Sequence, residues 1–230
     1  MKIIECPRDA MQGLHDFIPT DKKAAYINQL LKVGFDTVDF GSFVSPKAIP
    51  QLRDTATVLD KLDLTNTNSK LLAIIANLRG ATDAANFEEI DYLGFPLSIS
   101  EQFQHRNTNK SIAEALETVS AIQALCKKTN KTLVTYISMG FGNPYDESFN
   151  EEIVAEFVAK LKALDIRIIS LSDTIGVAKP DMIERIFKHS IQSHPEIEFG
   201  AHFHSTPEKT YEKLKAALDA VALDIDGDGT

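Results

Sequence analysis

Tryptophan is absent from this 230-residue chain, aromatic residues make up 8%, and there are only two cysteines, Cys6 and Cys126. Two cysteines exclude a disulfide framework, so stability has to come from a hydrophobic core. Positive charge is scarce too: 24 Lys and Arg against 33 Asp and Glu leave a formal net charge of -9. Nucleic acid or an anionic membrane as partner would need a surplus of phosphate-neutralising cations, so neither is expected. The sequence shows no charged-then-apolar leader and no run of about 18 apolar residues, and it reads as cytoplasmic. A Gly/Ser-rich linker, a composition shift and a low-complexity tract are also missing. With 43% hydrophobic and 25% charged residues, one globular domain over residues 1–230 is expected.

What the chain has is a rhythm. Short β-branched runs, "KIIEC", "TVDFG", "LLAIIA", "IDYLGFP", "LVTYIS", "IRIISLS" and "IEFGAHFH", alternate with amphipathic segments, and "VALDID" starts an eighth. Apolar residues three and four apart predict helices at 22–33, 112–127, 151–164, 180–189 and 207–220, with Pro180 and Pro207 in first turns. Repeated βα units predict a parallel sheet, and eight of them a TIM-type (β/α)8 barrel, here incomplete at strand eight. In that fold chemistry sits at the C-terminal strand ends. Those ends carry Arg8, Asp9 and Gln12 after strand one, Asp39 and Ser42 after strand two, Asn77 and Arg79 after strand three, Ser138 after strand five, Asp173 after strand six, and His202 and His204 after strand seven.

His202 and His204 stand one residue apart, and on a strand side chains at i and i+2 leave the same face. That is a spacing for metal ligands, with Asp9 brought to the pair by barrel closure. Polar Gln12, Ser42, Asn77 and Ser138 are candidate substrate contacts. Cys6 lies near the barrel mouth without a neighbouring base to activate it and reads as structural, as does Cys126 in a helix. Asp224, Asp226 and Asp228 in "DIDGDGT" imitate the opening of a calcium-binding loop, but the late glutamate of that loop is not there.

In order and spacing, "CPRDAMQG", "GSFVSPKAIPQ", "RNTNKSI", "SMGFGNPY", "SLSDTIG" and "AHFHST" resemble the motifs of the 3-hydroxy-3-methylglutaryl-CoA (HMG-CoA) lyase family within the DRE-TIM metallolyases. The resemblance implies retro-Claisen cleavage of a 3-hydroxyacyl-CoA to acetyl-CoA and a keto acid, with Mg²⁺ or Mn²⁺ as cofactor. It implies Asp9, His202 and His204 as metal ligands, Arg8 as the catalytic arginine, and Asp173 and Asp39 as acidic residues of the catalytic pocket. Asp173 or His202 would handle the hydroxyl proton. The family commonly has Glu at the position of Asp39 and Gly-Leu at Ala10-Met11. It also continues into a cysteine-bearing glycine-rich loop and an asparagine ligand, so the resemblance is to a C-terminally truncated lyase. An open barrel would expose strand edges and favour self-association as a homo-oligomer. The competing expectations are a condensing synthase of the same superfamily, similar to isopropylmalate or homocitrate synthases, and a noncatalytic acyl-CoA-binding remnant.

Overall fold

The computed structural model describes residues 1–225. They fall into two compact units, one of residues 1–95 with 124–133 and one of residues 96–123 with 134–225. Strands β1 (Ile4–Glu5), β2 (Thr37–Ser42), β3 (Lys70–Ile74), β4 (Tyr92–Ser98), β5 (Thr132–Ser138), β6 (Ile168–Asp173) and β7 (Glu198–Phe203) are ordered in the sheet as in the chain. All seven coincide with the apolar runs of the sequence.

In the first unit β1 to β4 pair in parallel, with Ile4 opposite Thr37, Val38 opposite Leu71 and Ile74 opposite Gly94. Strand β2 is buried along its whole length, as a parallel strand covered on both faces must be. Its register slips between Asp39 and Gly41. A bulge of this kind re-aims side chains, and here it follows a buried carboxylate. The helices are α1 (Pro7–Gln12), α2 (Thr20–Val33), α3 (Thr55–Leu59) and α4 (Leu78–Ala85). Helix α2 buries Ala24, Ile27 and Leu31 at helical spacing and stops at Gly34, whose φ of 86° is the left-handed closure that glycine permits. Its Lys23 is buried as well and pairs with Asp54 at 2.7 Å.

In the second unit β6 lies between β5 and β7, in register from Val134 opposite Ile168 to Asp173 opposite Phe203. Helices α5 (Glu101–Thr108), α7 (Glu151–Ala163), α8 (Pro180–Ser193) and α9 (Pro207–Ile225) belong to it, while α6 (Ile112–Thr129) runs through the unit boundary. Helix α7 is capped by Asn150 and buries Val154, Phe157, Val158 and Leu161. Phe203 packs edge-on against Phe141 and Phe187, with ring centroids 5.6 and 6.3 Å away. Strand β7 is only partly covered, and α9 leaves Tyr211, Leu214, Leu218 and Val221 exposed on one stripe.

The segment "PRDAMQG", placed after strand one by the sequence, is helical: Pro7 opens α1 directly after β1. One sequence expectation is corrected. "VALDID" does not begin an eighth strand, because α9 continues through it to Ile225. Alanine and leucine are strong helix formers, and no glycine or proline interrupts the run before Gly227. The calcium-loop imitation falls mostly on residues 226–230, outside the described residues.

Candidate active site

The first unit supplies an arginine held on several sides. Pro7, with φ preset and no N–H to lose, starts α1 so that Arg8 and Gln12 share a face one turn apart. Arg8 is 6% exposed. Its Nε and Nη2 donate to the Asp39 carboxylate, the shortest contact being 2.6 Å, while Nη1 donates to Asp9 Oδ1 at 2.7 Å and to Gln12 Oε1 at 3.1 Å. Asp39 is fully buried. A fork-shaped guanidinium against a carboxylate is the most directional ion pair available, so the Arg8 plane is fixed from β2. Next to it, burial and then the charge of Asp39 push the Cys6 thiol up to about 12, against a smaller lowering by Arg8. Cys6 is therefore a neutral thiol at physiological pH, in line with a structural role.

The second unit supplies the histidines. His202 lies on β7 and His204 one residue beyond it, where the ladder continues through His204 N–H donating to Asp173 O at 3.3 Å. The two rings lie 5.4 Å apart at 62°, and Tyr136 of β5 meets His202 edge-on at 5.5 Å. Two imidazoles this close together at one strand end are residue types that could both reach a single cation.

Asp173 ends β6 and is 1% exposed. Its Oδ1 accepts from Val177 N–H at 2.9 Å, and its Oδ2 accepts from Ala178 N–H at 3.1 Å and from Lys213 Nζ at 2.6 Å. With three hydrogen bonds on its two oxygens, Asp173 acts as a clamp on the loop before α8. Lys213 was missed by sequence reading. The signal was there: it falls in the buried stripe of α9 with Ala216, Ala217 and Ala220, where a lysine is out of place.

The candidate substrate contacts mostly have local partners. Asn77 caps α4 by accepting from Gly80 N–H at 2.9 Å. Ser42 Oγ accepts from Val44 N–H at 3.2 Å. Gln12 serves Arg8, and buried Ser138 accepts at its carbonyl from Ile99 N–H at 3.2 Å. Arg79 is exposed.

Comparison with known proteins bears on this arrangement. The HMGL-like family model matches residues 2–220. Hydroxymethylglutaryl-CoA lyase YngG of Bacillus subtilis is 32% identical over 96% of this chain and 73% of its own length. The crystal structure of the Bacillus subtilis HMG-CoA lyase superposes with a TM-score of 0.89 at 32% identity, over 95% of this chain and 73% of that one. An HMG-CoA lyase from Acinetobacter baumannii in complex with coenzyme A and 3-methylmalate gives 0.88 at 31% identity, over 95% and 71%. Against the human mitochondrial lyase the chain spans 63% of the relative's length. The parallel βα order and these superpositions make the fold that of a TIM-type barrel, incomplete at strand eight among the described residues. With the arginine clamp and the histidine pair on the strand ends where the sequence motifs put them, the chain belongs to the HMGL-like family.

Proposed function

We propose that this chain is a metal-dependent carbon–carbon lyase that cleaves 3-hydroxy-3-methylglutaryl-CoA, or a similar 3-hydroxyacyl-CoA, to acetyl-CoA and acetoacetate or a related keto acid. The observation that carries the reading is the Arg8 clamp. A buried guanidinium, oriented by Asp39, is the group needed to stabilise an enolate oxygen.

The C2–C3 bond breaks when the electrons of the 3-hydroxyl O–H bond become the new carbonyl and those of C2–C3 pass to the thioester enolate. Arg8 faces that enolate oxygen. The hydroxyl proton leaves to Asp173, whose Oδ1 accepts only one hydrogen bond, or to His202, and a proton returned to C2 completes acetyl-CoA. Asp9, His202 and His204 would hold the cation: each offers one ligand atom, and the carboxylate among them is the ligand type that suits Mg²⁺ and Mn²⁺. When bound, the cation lowers the pKa of the hydroxyl and orients the substrate. Gln12, Ser42, Asn77 and Ser138 are proposed to line the substrate side. The same reading takes one catalytic domain, an acyl-CoA partner, a cytoplasmic location and self-association, the last supported by the exposed apolar stripe of α9. Among the described residues no helix is long and apolar enough to cross a membrane.

The test is acetyl-CoA release from 3-hydroxy-3-methylglutaryl-CoA, followed by a coupled assay. Turnover that requires Mg²⁺ or Mn²⁺ and drops about 10²- to 10³-fold in Arg8→Met is expected. Binding of the acyl-CoA with no turnover at any metal concentration would overturn the proposal.

A further inference from the structure

Lys213 is charged, 1% exposed, and outside every motif on which the functional reading draws. An ammonium has three N–H donors, and three acceptors surround this one: Asp173 Oδ2 at 2.6 Å, Gly176 O at 3.1 Å and His204 O at 3.1 Å. Around it the backbone closes in the same sense. His204 N–H and Gly176 N–H both donate to Asp173 O at 3.3 Å. Gly176 has a φ of +74°, and a Cβ built there would stand 3.3 Å from His204 O. The loop after β6 and the residue after β7 are thus drawn together on one side chain.

Burying a lysine costs free energy that packing alone never requires. An apolar residue would fill the α9 stripe equally well. What only the ammonium adds is a fixed link between the carbonyl of His204 and the carboxylate of Asp173. We propose that Lys213 is the positioning residue for His204, holding its backbone so that the imidazole is presented beside that of His202, and thereby setting the affinity of the site for its cation. This rests on the reading in which His204 is a metal ligand. Partners that orient a ligand from behind typically change metal affinity by about 10- to 100-fold.

Removing Lys213 alone would leave a buried anion that itself attracts a cation, so the test removes both charges in Lys213→Met/Asp173→Asn. The readout is Mn²⁺ titration by electron paramagnetic resonance on the substrate-free chain, at a temperature where circular dichroism reports the folded state. The control is Lys23→Met/Asp54→Asn, the equivalent neutral replacement of the buried pair in the other unit. Mn²⁺ affinity is expected to fall about 10- to 100-fold in the first variant and to stay within about twofold in the control. If the first variant does not fold, Lys213→Gln/Asp173→Asn takes its place, with the same loss expected because the shorter, two-donor amide cannot reach all three acceptors. Unchanged affinity, or an equal loss in the control, overturns the proposal. A wild-type chain that binds no Mn²⁺ overturns the underlying metal reading instead, an outcome the wild-type titration alone identifies.

Discussion

Asp39→Asn isolates what the clamp on Arg8 contributes. The replacement keeps the shape of the side chain but removes the charge from a fully buried site that receives both Nε and Nη2 of Arg8, the closest contact being 2.6 Å. Breaking one partner of a buried ion pair costs about 3 to 5 kcal/mol, because the other charge stays buried with less compensation. For a chain of this size, about 2 to 4 °C per kcal/mol puts Tm roughly 6 to 20 °C lower. The amide also presents an N–H₂ to one of the guanidinium donors, so Arg8 turns. Since Arg8 is proposed to act on charge that develops only in the transition state, kcat should fall while KM changes little. Thermal unfolding and steady-state kinetics of Asp39→Asn, Arg8→Met and the double variant check this together. The double variant is expected to be more stable than either single one, because removing both charges leaves neither unpaired. Additive losses, each below about 1 kcal/mol, would show that the pair is not buried in the sense used here.

Two further outcomes follow from groups beside the site. Cys6 is neutral in the folded chain up to about pH 12, whereas an unfolded thiol ionises near 9.0. Its contribution to stability is complete below pH 9 and is lost as pH rises toward 12, so urea unfolding at pH 10.5 should show Cys6→Ser losing roughly 2 kcal/mol less than wild type relative to pH 8; parallel pH profiles would refute this. Gly176→Ala should destabilise by about 1 to 2 kcal/mol, from a left-handed backbone and the nearby His204 carbonyl. Gly13→Ala, with nothing within 4 Å of its Cβ, is the control and should be close to neutral; equal effects of the two would remove the argument.

All seven strands were legible because each falls in a short apolar run, most of them rich in β-branched residues, between amphipathic segments. The long helices were legible from spacing, with ends off by a few residues. Helices α1 and α3 to α5 are too short for periodicity to declare themselves, and α1 hides behind a proline that looks like a loop signal. "VALDID" misled because valine, leucine and isoleucine serve a strand or the last turns of a helix equally well, and continuity with α9 decided it. Arg8, Asp9 and the histidine pair could be singled out because chemistry restricts residue type and spacing. The partners of Arg8 and of Asp173 could not, since Asp39 lies 31 residues from Arg8 and Lys213 lies 40 from Asp173. Such separations are settled only by the folded path. Asn77 has a local task that sequence position alone did not declare: it caps the first turn of α4.

Arg8 and Asp9 are consecutive on one short helix, and Asp9 N–H is itself tied back to Cys6 O at 3.1 Å. Under the proposed reading this couples two jobs to one lever: any tilt of α1 moves the cation-holding carboxylate and the enolate-facing guanidinium in the same direction. Neither can be retuned alone by shifting backbone. A change in acyl preference therefore has to be sought in side chains that leave that turn where it is.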